Sequence, residues 1–576
     1  MNDDSQQPTV AGIRSVGYER VMPALLLGPL LRHVGRETAT IWVEVDKSCR
    51  VKILDTEEST FEVSGHHYAL LRVDGLVEGS ATEYTVALDG ELVWPMPDRT
   101  EPPSRIRTLQ PDRPQRIAFG SCRVASHDTV PGRRRYGVDA LDAYAARTAG
   151  HPDDGWPDLL LMLGDQVYAD DTTQQTRARI AKRRGLKTPP GPEVADFEEY
   201  TWLYHESWSA TDIRWLMSTV PVAMIFDDHD VHDDWNTSRA WRTQMQATDW
   251  WQERITGALM SYWIYQHIGN LSPDELAADL VYAKVRAAAD AGEDAEPILR
   301  AFAQAADREA DGAKGYRWSF WRDLGSTRLV VIDSRCGRML DGERAMISDS
   351  EFDWIEDRLD GDYDHLLIGT SLPWLMAPSL HALEAWNEQL CADPRPRRAA
   401  WGEKLRQGAD LEHWPAFSAS FDRLARMLAD VGSGRHTAVS VPPATICVLS
   451  GDVHHSYVCE ADLSGLAARS GSAPMASRVY QVTCSPVHNW VPGVMRALFW
   501  GFWNAPIGAV ITRVLTWHGR LTRPPLTWQT VGGPFFGNAI STLVLEGRAA
   551  RVVMESSRSA TAERPLETVI ARDLSA

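Results

Sequence analysis

Four short apolar segments of the chain each stop at a residue type that commonly binds metal ions. The segments are Arg116–Cys122, Leu159–Asp165, Val222–Asp228 and Thr445–Asp452. A run of about four to eight apolar residues bounded by turn residues predicts a buried strand, and open α/β sheets hold ligands just beyond the carboxyl ends of their strands. We therefore expect the four strands to bring one set of candidate ligands to one sheet edge: Cys122, Asp165, Asp228, His229, Asp452 and His454.

The types of these ligands indicate a hydrolytic metal site rather than a structural one. A structural zinc is held by Cys₄, Cys₃His or Cys₂His₂ sets, and the seven cysteines of the chain include no CxxC pair. Thiolate and imidazole ligands favour Fe(III) or Zn, whereas carboxylates favour Ca, Mn or Mg, so the set predicts two unlike cations. A pair of cations about 3.5–4 Å apart activates water and holds both oxygens of an in-line displacement.

Each segment on its own also has a simpler explanation. Asp165 after Gly164 is compatible with an ordinary turn, and the buried thiol of Cys122 with a structural role. The run Asp227-Asp-His-Asp230 is compatible with a helix N-terminus that is capped by carboxylates. Adjacent carboxylates after a buried strand cost free energy unless a cation or hydrogen bonds compensate them, which favours the metal site. The combination of four segments is far more specific than any one of them.

Five motifs, in this order along the chain, resemble the PhoD-like branch of the calcineurin-like metallophosphatases. They are Gly120-Ser-Cys122, Gly164-Asp-Gln-Val-Tyr168, Asp227-Asp-His-Asp230, Asp333-Ser-Arg335 with Arg338, and Gly451-Asp-Val-His454. The resemblance covers roughly residues 115–555. It implies a dinuclear metal centre in a four-layer α/β/β/α sandwich, and an N-terminal β-sandwich is also typical of that family.

The resemblance also implies roles for individual residues. Six positions would be metal ligands: Cys122, Asp165, Tyr168, Asp228, Asp452 and His454. Asp165 would bridge the two metals, Tyr168 would be an iron-binding phenolate, and His229 would be the catalytic histidine. Fe(III) with Ca(II) is the metal pair that these ligands favour, with Zn or Mn as alternatives.

Three arginines are candidates for contact with the phosphate group. Arg335 could hold the non-bridging oxygens as a bidentate fork, and Arg123 and Arg338 are further candidates. The alternative for Arg123 and Arg338 is ion pairing in an acidic protein.

The resembling motifs depart from the wider superfamily at one ligand. The superfamily has a histidine after the strand that precedes the last motif. Here that strand is Leu366–Ser371, and it offers Thr370, Ser371 or the following Trp374 instead.

The length of 576 residues predicts two or three domains, and the pattern of elements places their boundaries. Residues 1–22 are predicted to be a tail. Short alternating strands over 23–110 predict a small all-β sandwich, and Gly75-Leu76 with Tyr84 resembles the tyrosine corner of fibronectin type III domains. Alternating strands and helices predict an α/β catalytic domain over 115–576. Three insertions in this domain are predicted to be lid-like: 172–200, 271–315 and 376–432.

Net charge and hydropathy limit the classes of partner that the chain is expected to bind. A net charge of −19 argues against general nucleic-acid affinity, although the basic run 177–187 could recognise a polyanion or be a solvated helical face. The N-terminus has no basic or apolar leader, so cytoplasm is the expected location. The apolar segment 497–511 is too short to span a bilayer. We expect a buried helical hairpin there, with membrane-surface contact through 496–513 as the alternative.

The sequence therefore predicts a metal-dependent hydrolase of phosphoric esters, of the alkaline phosphatase D or phosphodiesterase type. Its nucleophile would be a hydroxide on a dinuclear metal centre. Its partner would be a small phosphate ester, diester or monoester, or a lipid head group. The alternative is a non-catalytic protein that binds a ligand or partner on a degenerate phosphatase fold.

Overall fold

The structure, a computed structural model, describes residues 22–97, 99–110, 113–125, 135–151, 155–313, 315–437, 441–557 and 565–575. Most of the predicted tail, residues 1–21, lies outside these ranges. The described chain is a mixed α/β protein with an all-β region at its N-terminal end, as predicted.

The N-terminal region consists of two four-stranded antiparallel sheets and a two-stranded ladder. The spatial order in the first sheet is Leu25–Val34, Ala39–Val45, His66–Val73, Phe61–Val63, and in the second Thr56–Ser59, Arg50–Ile53, Val86–Leu88, Glu91–Trp94. Ala81–Glu83 pairs with Arg105–Arg107. Buried and exposed side chains alternate, as in Arg50–Ile53, where Val51 and Ile53 point into the core of the sandwich.

Two larger mixed sheets form the rest of the β structure. The six-stranded sheet has the order Val222–Ile225, Leu159–Leu163, Gln115–Gly120, Ile540–Glu546, Ala549–Ser557, Leu566–Asp573. The seven-stranded sheet has the order Phe320–Leu324, Thr327–Ile332, His365–Thr370, Thr445–Ser450, Arg478–Thr483, Ser456–Asp462, Thr527–Phe535. Three of the strands that precede candidate ligands, Leu159–Leu163, Val222–Ile225 and Thr445–Ser450, are parallel to their neighbours and buried along their whole length, which explains their apolar sequences. Gln115–Gly120 is parallel to Leu159–Leu163 on one side and antiparallel to Ile540–Glu546 on the other.

Helices cover these sheets and fill the insertions. The α-helices are Ala140–Gly150, Gln174–Arg183, Phe197–Trp208, Thr211–Thr219, Arg239–Gln246, Trp251–Tyr262, Pro273–Ala278, Leu280–Ala291, Glu296–Asp307, Asp349–Leu359, Pro378–Cys391, Pro396–Gly408, Ser418–Gly432, Ser464–Arg469, Gly493–Trp503 and Ala505–Gly519. Short 3₁₀ turns span Asp228–Asp230, Arg308–Asp311 and Trp414–Ala416, and a π turn spans Trp263–His267.

The seven-stranded sheet separates two apolar cores. Leu329 and Val331 point towards the six-stranded sheet, whereas Val330 and Ile332 point towards the helices Asp349–Leu359 and Ser418–Gly432. Because successive side chains of a strand alternate between faces, both faces of this sheet are apolar. This is the layered arrangement expected from the sequence.

The N-terminal sandwich is joined to the catalytic part by buried polar contacts. The fully buried Arg32 donates hydrogen bonds to the backbone oxygens of Val222 (3.1 Å) and Tyr265 (2.7 Å). The hydroxyl of Tyr84 donates to the backbone oxygen of Ser218 at 2.5 Å. The hydroxyl of a tyrosine corner bonds within its own domain, whereas that of Tyr84 ties the sandwich to the helix Thr211–Thr219.

Two of the predicted insertions contribute to packing. Segment 271–315 folds into helices that lie on the sandwich, where Arg286 donates to the backbone oxygen of Ser59 at 2.9 Å. Segment 376–432 supplies side chains to the candidate site described below. A lid role for either segment stays a prediction.

The basic run 177–187 is largely paired with acidic side chains of the chain itself. Arg183 and Arg184 both lie 2.9 Å from the buried carboxylate of Glu199. The guanidinium of Arg179 stacks 4.2 Å from the ring of Trp202. These contacts favour the interpretation of a helical face over that of a polyanion site, and a lid role for 172–200 stays a prediction.

The expectation of a buried helical hairpin at 497–511 is wrong. No residue of Gly493–Trp503 is buried, and Gly508 is the one buried residue of Ala505–Gly519. Within the described residues, no single helix is both long and apolar enough to cross a membrane. The helices Gly493–Trp503 and Ala505–Gly519 are long and apolar enough only when they are counted together, and the chain bends by 78° between them.

The contact between sandwich and catalytic part is expected to depend on pH through His66. Its Nε2 lies 2.7 Å from Glu198, and its Nδ1 lies 3.6 Å from the buried Glu44. Burial opposes the charged imidazole, but hydrogen bonds to Glu198 and Glu44 outweigh it and raise the pKa of His66 to about 9. An unfolded histidine has a pKa of about 6.5, so this stabilisation is complete below pH 6.5 and is lost as the pH rises through 9.

We therefore expect His66→Gln to lower the free energy of unfolding by about 1 kcal/mol at pH 6, since solvent screens part of the interaction. At pH 10 the variant and the wild type should be equally stable by urea unfolding. His67→Gln, at the next position of the same strand, is the control and should show no such convergence. A His66→Gln deficit that persists unchanged at pH 10 would contradict the charged pair.

Candidate metal centre

The predicted ligand-bearing strands meet at their carboxyl ends, but they do not belong to one sheet. Leu159–Leu163 lies in the six-stranded sheet and Thr445–Ser450 in the seven-stranded sheet, so the expectation of a single sheet edge is wrong. The two edges touch at Gly451, where an added Cβ would lie 2.0 Å from Ser121 Oγ. Only glycine permits this approach.

Four of the predicted ligands share an unusual backbone conformation. Cys122 (φ 57°), Asp165 (φ 51°), Asp452 (φ 64°) and His454 (φ 52°) all lie in the left-handed region. Such residues cost about 1–3 kcal/mol each and concentrate at functional sites. The turns fold the chain back at each strand end, and they bring the Cys122 thiol within 3.5 Å of the backbone oxygen of Asp452.

The carboxylates form two overlapping sets with the spacing of metal ligands. Asp165, Asp228 and His229 each offer an atom within 4.8 Å of the others, and so do Asp227, Asp228 and Asp452. Asp228 belongs to both sets. Buried Asp165 Oδ1 and Asp227 Oδ2 have no hydrogen-bond partner among the described residues, so each has an acceptor available for a cation.

The protonation tendencies of these groups agree with a cation site. Burial raises the pKa of Asp165 well above its usual range; Asp227 and Asp228 add to the shift and His229 opposes it. Burial also raises the pKa of the Cys122 thiol, with Asp165 adding to the shift. A bound cation reverses these tendencies because it stabilises the deprotonated forms. The residues present therefore fit a metal centre.

Asp230 organises the loops that carry the ligands. Its carboxylate accepts hydrogen bonds from the backbone amides of Asp165 (3.0 Å), Gln166 (3.2 Å) and Asp227 (2.9 Å). Asp227 in turn caps the short helix Asp228–Asp230. The capping alternative and the metal alternative both apply to this motif, because capping orients Asp228 towards the cluster.

Arg335 lies fully buried among the carboxylates. Its Nε donates to Asp227 and its Nη1 donates to Glu412 at 2.5 Å. Its Nη2 lies 3.3 Å from Asp228 and 3.7 Å from Asp452. Arg335 thus supplies a permanent positive charge to the cluster. Its predicted contact with phosphate oxygens stays a prediction.

Arg123 and Arg338 are buried and bonded to the chain itself. Arg123 donates to Asp139 (2.8 Å) and to the backbone oxygen of Ser207 (2.7 Å). Arg338 donates to Glu412 at 2.9 Å. The structure does not place either guanidinium among the two ligand sets, and their roles in substrate binding stay predictions.

Tyr168 and His454 lie beside the first ligand set. The Tyr168 hydroxyl donates to Asp165 Oδ2 at 3.3 Å. Asn489 Nδ2 donates to that hydroxyl at 2.8 Å and lies 3.4 Å from His454 Nε2. Asn489 therefore links two predicted ligands. Sequence reasoning missed it because an asparagine in a loop carries no metal-site signal.

His229 is fixed by Asp170, another residue that sequence reasoning missed. Both oxygens of Asp170 lie 2.9 Å from His229 Nδ1. The imidazole also packs on the ring of Tyr168, with centroids 4.6 Å apart. Because Asp170 holds Nδ1, Nε2 is left for a ligand or substrate atom.

The structure brings a further histidine to the second ligand set. His413 Nε2 lies 2.8 Å from Asp452 Oδ2, and its Nδ1 lies 2.6 Å from Glu384. A carboxylate on the far nitrogen is the usual partner of a histidine at a metal site. Sequence reasoning treated the segment 376–432 only as an insertion, although the adjacent Glu412-His413 pair was a usable signal.

The side chains proposed in place of the superfamily histidine are engaged with other residues of the chain. The hydroxyls of Thr370 and Ser371 bond to Ser334 at 3.2 and 2.9 Å. Trp374 stacks on Phe421, with ring centroids 5.4 Å apart. The imidazole next to Asp452 comes from His413 instead.

Comparisons with known proteins agree with this geometry. A family model described as PhoD-like phosphatase matches residues 139–493, which confirms the resemblance inferred from the motifs, and a model described as a domain of unknown function (DUF7800) matches residues 22–106. Among solved structures, that of PhoD is similar to this chain with a TM-score of 0.55 and 12% sequence identity, over 96% of this chain and 92% of PhoD. This likeness shows that the two chains share a fold. Purple acid phosphatase PPD1 from yellow lupin (Lupinus luteus) seeds has a TM-score of 0.45 at 10% identity, with 93% and 72% coverage. No curated protein matches.

We expect His413→Ala to lower metal affinity about 10–100-fold, because Asp452 loses the group that orients it. The measurement is metal content after dialysis against a metal-buffered solution. His436→Ala is the matched control, since His436 pairs with Asp360 at the surface. Wild-type metal content in His413→Ala would show that this imidazole has no part in the centre.

Because the carboxylates of the cluster repel one another, we expect Asp228→Asn to change the thermal unfolding midpoint in opposite directions with and without bound metal. In chelated protein the variant removes one of several crowded negative charges, so its thermal unfolding midpoint should exceed that of the wild type by about 1–3 °C. In metal-loaded protein the order should reverse, because the neutral amide oxygen of the variant binds a cation more weakly than the carboxylate does. Asp249→Asn, at an exposed position, should change neither midpoint. If the variant has the higher midpoint, or the lower one, in both the chelated and the metal-loaded protein, the result would argue against a cation at Asp228.

Proposed function

Because the chain belongs to the PhoD-like phosphatase family, we propose that its strand-end cluster hydrolyses phosphoric esters, diesters or monoesters, with two cations as cofactors. The observation that carries this proposal is the pair of ligand sets that share Asp228. A shared carboxylate between two adjacent sets is what a dinuclear centre requires.

The ligand types suggest which cation each side prefers. Cys122 and Tyr168 would complete the side that holds Asp165, and soft or phenolic donors suit Fe(III) or Zn. Asp452, together with the shared Asp228, would form the other side, which suits Ca(II) or Mn. When bound, such a pair would supply Lewis acidity to the phosphoryl oxygens and would activate the attacking water.

The protein side chains would divide the remaining work. His229, held by Asp170, would give a proton to the ester oxygen that leaves as water forms the new bond to phosphorus. Arg335 keeps the carboxylates together by offsetting their charge. Asn489 holds Tyr168 and His454 in position.

The alternative of a degenerate, ligand-binding fold is less well supported. A degenerate site would be expected to lack one or more of Asp165, His229 and His454. All three are present, and they converge with the rest of the cluster.

Turnover of bis-p-nitrophenyl phosphate and p-nitrophenyl phosphate tests the proposal. We expect activity in the metal-loaded protein, loss on chelation and recovery on adding metal back. His229→Ala should lower kcat about 10²–10⁴-fold, the usual contribution of a general acid. His232→Ala, three residues along the same loop, should keep its activity and serves as the matched control. Turnover that survives both chelation and His229→Ala would overturn the assignment.

A further inference from the structure

The helices Gly493–Trp503 and Ala505–Gly519, together called the apolar helix pair, expose an unusual amount of apolar surface. Val494 and Trp517 are 82% and 80% exposed, and the other strongly exposed apolar side chains are Leu498, Trp500, Ile507, Val510 and Val514. A helix that is apolar all round normally lies in a core or in a membrane. A contiguous exposed patch of this kind marks an interaction site.

The pair is fixed to the protein body rather than detached from it. Ser379 donates to the backbone oxygen of Phe502 at 2.8 Å, and Gly508 allows a close approach to the same serine. Trp386 Nε1 donates to His518 at 3.1 Å. These contacts hold the inner sides of both helices and leave the apolar outer sides uncovered.

The charge around the pair identifies the surface that it fits. The chain has a net charge of −19, yet no Asp or Glu occurs between Asp462 and Glu546. Six arginines lie in that stretch: Arg469, Arg478, Arg496, Arg513, Arg520 and Arg523. Apolar and tryptophan side chains in a stretch that carries arginines and no acidic residue match the interface of an anionic phospholipid bilayer. A second copy of the chain would instead bring two arginine-rich surfaces together.

A groove beside the pair also suits a lipid. It has a volume of about 840 Å³ and lies between the helices Pro378–Cys391 and Ala505–Gly519. Its walls include Phe502 and Trp517, and Arg513 and Arg523 lie along it. Apolar walls with cationic groups along them could take an acyl chain and its anionic head group.

The pair adjoins the metal centre. Trp503 Nε1 donates to His455 Nε2 at 2.8 Å, and Phe499 packs on the same imidazole with centroids 5.0 Å apart. His455 follows the predicted ligand His454. Asn489, which bonds to Tyr168, lies just before the first helix. A bilayer against the pair would therefore lie next to the cluster.

We propose that the apolar helix pair docks on anionic phospholipid bilayers and that the substrate of the metal centre is a phosphate ester carried by a lipid at that surface. The second clause rests on the proposed function, whereas the first is independent of it.

Sedimentation with vesicles tests the first clause. Wild-type protein is expected to bind vesicles of equal parts phosphatidylcholine and phosphatidylglycerol, and to bind phosphatidylcholine alone more weakly. Val494→Glu/Trp517→Glu, with one change on each helix, should weaken binding at least about tenfold. Val77→Glu/Leu92→Glu is the matched control, because these apolar residues are 70% and 63% exposed on the sandwich. It should bind like the wild type.

Two results would overturn docking. One is equal vesicle binding by wild type and Val494→Glu/Trp517→Glu, or binding by neither. The other is a concentration-dependent dimer in the wild type that Val494→Glu/Trp517→Glu abolishes, without vesicle binding, since this would identify a second copy as the occupant.

Hydrolysis rates on soluble and on vesicle-embedded substrates distinguish the docking clause from the substrate clause. Val494→Glu/Trp517→Glu should hydrolyse soluble bis-p-nitrophenyl phosphate at the wild-type rate, which also shows that it is folded, and should lose at least about tenfold on phosphoesters embedded in vesicles. An equal loss on both substrates, or on neither, would overturn the substrate clause. Vesicle binding by a protein that hydrolyses no ester would overturn the proposed function and leave docking in place.

Discussion

Several carboxylates packed beside one another away from water can stay ionised only if positive charge lies among them. Asp165, Asp227, Asp228 and Asp452 form such a group, and the guanidinium of Arg335 contacts three of them. The rest of the site is explained by this constraint. The carboxylate of Asp230 accepts hydrogen bonds from backbone amides and so fixes the shape of the loops. The carboxylates of Asp165 and Asp227 therefore each keep an oxygen that accepts no hydrogen bond from the described residues.

Much of this arrangement could be predicted from the sequence, because its signals are local. The strands before Cys122, Asp165, Asp228 and Asp452 are mainly apolar, and each ligand comes two or three residues after its strand ends. Local patterns of this kind need no knowledge of distant contacts.

The missed features depend on contacts between distant segments. His413 reaches Asp452 across 39 positions, and Asp170 reaches His229 across 59. The partner of Tyr84 lies in another domain for the same reason. The apolar helices show a different limit. An apolar composition predicts that a helix is shielded from water, but it does not tell whether the rest of the chain or another molecule shields it.

The six-stranded sheet has a consequence for how the chain is made. Its first three strands, including Gln115–Gly120, leave the ribosome early, but Gln115–Gly120 pairs with Ile540–Glu546 near the other end of the chain. Until that segment emerges, a buried apolar strand has an open edge, which is the kind of surface that invites wrong pairing. A nascent chain therefore carries this unpaired edge until Ile540–Glu546 has been synthesised.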